Sequence, residues 1–284
     1  MQEFVVNISK YCRLYNHNFI VIPQNGIELV FLNLDSEAGL NTDYVNACNG
    51  IGVEELFYNG DLSIDNYRLG LLRKVKSRLK ILVSDYLNDN SNIYDDIRRC
   101  LNEDFICFPR YSSNYYYSEI PDTIINENTM DINVLSEAKN YLYVIGINNT
   151  YTKKDSLIVA LTRTNWDVII IDLFFDKTLF SEKDIEQLKT KENGGRRLII
   201  AYMNIGSAES FRYYWQENWR LHHPAWLKKE YEDYEDEIWV KFWKKEWQDI
   251  IYGNDNSYAK KIIDAGFDGV YLDNVEAYYF LYFD

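Results

Sequence analysis

Seven short apolar runs in this chain close on a polar side chain able to donate, accept or hold a proton. Asn25 ends IVIPQN, Glu54 or Glu55 follows GV in GVEELFY, and Asp85 closes ILVSD. Arg110 follows ICFP, Asp172 ends VIIID, Asn204 ends IIAYMN, and Asp273 ends GVYLD. A helix N-cap or a loop hydrogen bond would explain any one of them. Seven together, each at the C-terminal edge of its run, fit a face on which parallel strands converge and where barrel enzymes build their sites.

The elements that must position these groups follow from the spacing. Strands are expected at 18–25, 50–58, 79–86, 105–111, 141–147, 166–174, 197–206 and 267–274, with amphipathic helical segments such as 62–79 and 254–267 between them. Nearly continuous apolar strands alternating with helices predict parallel pairing with both faces covered. Eight such units in 284 residues predict one α/β domain over 1–284, a (β/α)8 TIM barrel. No GxGxxG or P-loop follows any strand, so a nucleotide-binding open sheet has no support. Residues 112–137 lack a period and read as a long surface connection ending in a helix. Residues 207–252 hold six of the seven Trp with His222 and His223, and read as an elaborated loop over the C-terminal face. HHP there fits an exposed turn better than a metal site.

Composition narrows the partners. Thirty Lys and Arg against 44 Asp and Glu give a formal charge of -14, a field that repels phosphate backbones and anionic headgroups. Nucleic acid and membrane surfaces are therefore excluded as expected partners, and a neutral or cationic ligand suits the chain better. The 25 Tyr and 7 Trp supply apolar faces with polar edges, against which sugar rings stack. Cys12, Cys48, Cys100 and Cys107 show no CxxC spacing and read as free, mostly buried thiols. The start, MQEFVVNISKYCRLYNHNF, is too short in apolar length and too polar for a signal peptide, and no window approaches a membrane span. The expectation is a soluble chain, cytoplasmic as written or secreted if a leader was removed.

Three stretches resemble glycoside hydrolase family 114 and its endo-α-1,4-polygalactosaminidase-like and spherulin-4-like relatives. They are IIAYMNIGSAESFRYYWQENW (199–219) followed by WVKFWKKEWQDII (239–251), then GFDGVYLDNVEAY (266–278), then IVIPQNGIEL (20–29) with GVEELFY (52–58) and ILVSDYL (81–87). Their order differs from the family's, in which YLYVIG, VIIID, IIAYMNIG and GVYLDN come first and IVIPQN, GVEELFY, ILVSDY and ICFPRY afterwards. Residues 1–111 thus resemble the family's second half and 138–284 its first, joined by 112–137. This looks like a circular permutation, with the chain reopened after the GVYLDN strand, where QEFVVNISKYCR resembles the helix that ordinarily follows.

The resemblance implies a glycosidase acting in endo fashion on an α-1,4-linked galactosamine-type polysaccharide, with no cofactor and no metal. It implies an essential pair, Asp273 as nucleophile and Glu54 as general acid/base of a retaining mechanism, with Glu55 competing for the second role because neighbouring strand residues point to opposite faces. Asp172 and Asp85 would bind substrate, hold Glu54 protonated, or serve as salt-bridged structural groups. Tyr202, Asn204, Glu209 and Arg212 would shape the floor and wall of the sugar site, Asn25 would line it, and Trp243 would stack on sugar, as would Trp215, Trp219 and Trp247. The same tryptophan spacings fit loop helices packing inward. The family commonly has an acid where Ser207 stands. A non-catalytic glycan-binding or structural barrel is the alternative.

Overall fold

The computed structural model describes residues 1–147, 150–232 and 234–282. Its eight parallel strands lie where the apolar runs predict them: β1 (Ile20–Pro23), β2 (Gly50–Leu62), β3 (Lys80–Leu87), β4 (Ile106–Cys107), β5 (Tyr141–Tyr143), β6 (Val168–Asp172), β7 (Leu198–Asn204) and β8 (Gly269–Asp273). Every residue of β1, β5 and β7 is buried, as expected of strands covered on both faces. Among the helices, α1 (Gln2–Tyr15), α2 (Thr42–Ala47), α3 (Asn66–Val75) and α4 (Ile93–Asn102) accompany the first four strands. Then come α5 (Lys154–Thr162), α6 (Glu182–Leu188), α7 (Lys245–Ile251), α8 (Tyr258–Asp264) and α9 (Ala277–Tyr282). Local chemistry sets their starts: Asp65 accepts from the Arg68 amide at 2.8 Å to cap α3, and Ser181 with Asp184 forms a capping box on α6.

The strands run side by side in the order β5-β6-β7-β8-β1-β2-β3-β4, but the hydrogen-bonded ring is not closed. One ladder joins β5, β6, β7, β8 and β1, a second joins β2, β3 and β4, and a single Gln24–Gly52 bridge links the two. Among the described residues no ladder joins β4 to β5, so the closed barrel expected from the sequence is corrected to a barrel-like ring with a seam. Strand length is the reason: β4 contributes two residues and β5 three. Side chains span the seam instead, with Phe108 against Tyr141 at 5.8 Å and Tyr117 over Tyr143 at 4.1 Å between ring centroids. The interior is tyrosine-rich, and Gly52 makes room for it, because a Cβ there would lie 1.9 Å from the Tyr271 hydroxyl.

Residues 112–137 depart from expectation. They bury Asn114, Tyr117, Ile132 and Leu135 and end in a 3-10 turn at Leu135–Glu137 rather than an α-helix. The elaborated loop after β7 is mainly a three-stranded antiparallel sheet, Ser207–Glu209, Glu237–Val240 and Leu227–Glu230, in that spatial order. Residues 213–220 form turns, and Trp215, Trp219, Trp226 and Trp247 pack edge to face or tilted in a row ending in the core. His222 and His223 lie exposed in a turn, and all four cysteines are buried and unpaired. No helix among the described residues is long and apolar enough to cross a membrane.

Candidate active site

The C-terminal ends of the strands open into a cleft of ≈ 700 Å³. Asp273 closes β8 and Glu54 lies mid-way along β2, and both line it, as do Asn25, Asp172, Tyr202, Glu209 and Arg212. The two principal carboxyls sit in contrasting surroundings. Asp273 accepts from the Tyr202 hydroxyl at 2.6 Å and from the Asn274 amide at 2.7 Å. Burial, and then the negative charge of Glu54, push its carboxyl up to about 7. Glu54 accepts on both oxygens: the Gln24 amide donates to one, the Tyr117 hydroxyl to the other. Gln24 is itself oriented by Tyr143, whose hydroxyl donates to its carbonyl oxygen at 3.2 Å. Asn25, in the left-handed region at φ 59°, accepts from the Glu54 amide at 3.1 Å and so fixes the backbone beneath the carboxyl.

Strand alternation predicts that only one of Glu54 and Glu55 faces the cleft, yet both line it. The β2–β3 register shifts between Glu54 and Asn59, and Glu55 adopts φ 54°. Such a bulge turns the second side chain back toward the first. Glu55 then pairs with Arg110 at 3.4 Å, and burial raises its carboxyl against that partner.

Arg212 organises the opposite wall. Its guanidinium takes Glu209 through Nε at 2.7 Å and Nη2 at 3.0 Å while Nη1 reaches Asp172 at 2.7 Å, so the expected trio is brought together and largely self-neutralised. Two further carboxyls, Glu237 and Glu276, line the cleft without having been singled out in the sequence. Glu237, from the antiparallel sheet, accepts from Ser207 and from Asn204 at 3.1 Å, and burial pushes it up to about 8. Ser207 stands where the resemblance leads one to expect an acid, so the loop sheet brings a carboxyl to the side chain that lacks one. Burial pushes Glu276 up to about 7 against the pull of Arg68. Glu237 escapes sequence reading because it sits in the acidic run YEDYEDEIW, which looks like a solvated loop. Gln24 is adjacent to Asn25 at a strand end, and that position was its signal.

Three expected substrate contacts lie elsewhere. Asp85 is fully buried beneath the site, accepting from the Leu56 and Phe57 amides at 2.6 and 3.1 Å; it holds the β2 bulge from below. Asn204 is also fully buried, bonded to Ser207 at 2.6 Å and to Glu237, and acts as a bracket behind the wall. Trp243 packs against Phe242 and Tyr282 outside the cleft. Trp247 is a core residue whose ring N–H donates to the Ile205 carbonyl at 2.9 Å. The aromatic walls are instead Tyr115, Tyr116, Phe174, Phe211, Tyr231 and Tyr234.

A ring of parallel strands with an acidic, aromatic cleft at their C-terminal ends is the arrangement in which barrel folds place their sites. The sequence profile of glycoside-hydrolase family GH114 matches residues 128–281, more than half of the chain, and the chain belongs to that family. An uncharacterized protein of Thermotoga maritima is 32% identical over 131 residues, 46% of this chain and 39% of its own length. An uncharacterized protein of Methanocaldococcus jannaschii is 36% identical over 155 residues, 54% of this chain and 41% of its own. One of Deinococcus radiodurans is 42% identical over 119 residues, 42% of this chain and 36% of its own. The aligned part thus spans about two fifths of these relatives.

Proposed function

We propose that the protein is a glycosidase that cleaves an α-1,4-linked, amine-bearing galactosamine-type polysaccharide within its chain, using Asp273 and Glu54. The observation that carries this reading is the pair itself: two carboxyls lining one cleft, one half-buried and pushed up to about 7, the other receiving two donors. Hydrolysis of a glycosidic bond needs one carboxyl that holds a proton and one that is ionised. The surroundings favour Asp273 as the acid and Glu54 as the carboxylate, the reverse of the roles the resemblance implies. In the retaining course, the Asp273 proton passes to the glycosidic oxygen as the C1–O bond breaks and Glu54 forms an ester with C1. Water then attacks C1, gives its proton to the Asp273 carboxylate, and the ester bond breaks to release Glu54.

Charge and shape support the substrate class. Eight carboxyl side chains and four cationic ones line the cleft, and Arg212 already neutralises part of that excess, so the remainder suits amines on a sugar. Exposed tyrosine and phenylalanine walls suit several stacked rings. The profile match confined to 128–281 and the seam between β4 and β5 support a circularly permuted single domain, with 112–137 joining what are the ends of the family's order.

The test is a reducing-end assay on partially deacetylated α-1,4-galactosamine polymers. Asp273→Asn and Glu54→Gln should each lower kcat by about 10²- to 10⁴-fold. An aryl glycoside with an activated leaving group should recover turnover in Asp273→Asn alone; recovery in Glu54→Gln alone would restore the opposite roles. Wild-type rates in both variants, or binding without release of ends, would replace the enzyme with a glycan-binding barrel.

A further inference from the structure

Tyr117 lies in the stretch between β4 and β5 that sequence reading treats as a mere connection. It is held from two sides of the open seam. Its carbonyl oxygen accepts from the Ile145 and Gly146 amides at 3.0 and 3.1 Å, just beyond β5. Its side chain crosses to the other ladder, where the hydroxyl accepts from Ser84 of β3 at 3.1 Å and donates to Glu54 of β2. With its oxygen engaged by Ser84, the one phenolic proton is directed to the Glu54 carboxyl. The ring is buried, 4.1 Å from Tyr143 and 4.6 Å from the Arg110 guanidinium.

The backbone is set for this reach at a cost. Tyr117 adopts φ 54°, a left-handed conformation that bulky residues rarely take and that persists only where surrounding contacts impose it. Those contacts are visible. Asn114 accepts from the Ser118 and Glu119 amides at 2.7 and 3.0 Å, and Arg110 donates to the Tyr115 carbonyl at 3.1 Å. Gly146 lets the segment approach, since a Cβ there would lie 2.1 Å from the Tyr116 carbonyl oxygen. Burial and the charge of Glu54 raise the Tyr117 hydroxyl well above its ordinary value, so it stays a donor across the working range.

We propose that Tyr117 is a positioning residue, which fixes the Glu54 side chain and favours its ionised form for the reaction at the cleft. The inference rests on the glycosidase reading for its consequence in turnover, and on geometry alone for its effect on Glu54. Facing Glu54 from other elements are Arg110, Asp273 and Glu276 and the hydroxyls of Tyr115, Tyr143, Tyr231, Tyr234 and Tyr271, with Glu55 beside it. All remain in Tyr117→Phe, so a change in that variant reports the hydroxyl.

The experiment is a carboxyl ¹³C NMR titration of glutamate-labelled full-length protein, with Glu54 assigned by its disappearance in Glu54→Gln, beside polymer hydrolysis by the same samples. In Tyr117→Phe, which removes a donor to the carboxylate, the Glu54 titration should move up relative to wild type. By the worth of a hydrogen bond to a charged group, kcat should fall about 10- to 100-fold with KM within about twofold. Ser84→Ala, which keeps the tyrosine, should move Glu54 in the same direction by less. An unmoved Glu54 titration in folded Tyr117→Phe overturns the inference, as does a loss carried by KM. If Glu54 moves while wild-type protein cleaves none of the polymers, the positioning of Glu54 stands and the glycosidase reading falls.

Discussion

Asp273 is unusual because its partners pull in opposite directions. The Tyr202 hydroxyl and the Asn274 amide lower its carboxyl, while burial and Glu54 raise it, and the raising effects win. An acid whose folded value lies above its unfolded one binds more protons when folded, so its contribution to stability is complete below the unfolded value and is lost as pH rises through the folded one. For Asp273 that window runs from about 4 to about 7, and Glu276 and Glu237 act in the same sense up to about 7 and about 8. Ligand-free protein should therefore lose stability between pH 5 and pH 8 in urea melts, a range in which paired carboxylates contribute a constant amount. Asp273→Asn should weaken the slope, having removed one titrating proton. The same ionisation should bring kcat/KM down above about pH 7. A stability that rises from pH 5 to pH 8, with a slope unchanged in Asp273→Asn, would show that these acids are ionised throughout.

At the scale of elements, the decisive feature is the bulge of β2. Asp85 of β3 accepts both amides that follow Glu55, and Asp96 of α4 lies against it, fully buried and pushed up to about 10 by burial and then by the Asp85 charge. Asp85→Ala leaves two buried amides unpaired, a cost of about 2–5 kcal/mol, and should abolish turnover by releasing both glutamates. Asp96→Asn resembles the protonated acid and should fold normally, gaining stability over wild type as pH rises toward 9; loss of folding in Asp96→Asn would mean that its charge is needed. This arrangement also explains what was legible in the sequence. Buried parallel strands are continuous apolar runs, so all eight are legible, and the polar groups that follow those runs include Asp273, Glu54, Asp172 and Asn25, which line the cleft. The bulge is not legible, because it is imposed by a carboxylate from the next strand, so the sequence leaves Asp85 open between a substrate contact, a neighbour that holds Glu54 protonated and a structural group. Nor were the loop strands: LKKE and EIWV carry neither a clean alternation nor an apolar run. Tyr117 was hidden because its position depends on two ladders far apart in sequence.

For the whole molecule, the seam carries the largest consequence. Eight neighbouring strands in a ring keep the same neighbours wherever the chain is cut, so permutation leaves no trace in the strand order, and only connections can carry it. Residues 112–119 are pinned to both sides of the seam, whereas residues 120–127 include no regular element. Phe4 and Tyr282 are linked by a run of ring contacts, Phe4 to Phe242 at 6.4 Å, Phe242 to Trp243 at 5.0 Å and Trp243 to Tyr282 at 5.5 Å. On the permuted reading proposed above, a short glycine-serine linker joining 284 to 1, with new ends opened between 123 and 124, should give a chain in the family's order with Tyr117 still attached to β4. Ends placed in exposed backbone with few partners are tolerated. Cooperative unfolding within about 2 kcal/mol of the parent, and hydrolysis within about threefold, are the expected results. A parallel variant opened between 116 and 117 controls for the cut itself: it severs the stretch that supports Glu54 and should fold less well and lose turnover. If the first cut is as damaging as the second, 120–127 is an essential part of the ring and the reading of the seam as the family's natural ends is wrong.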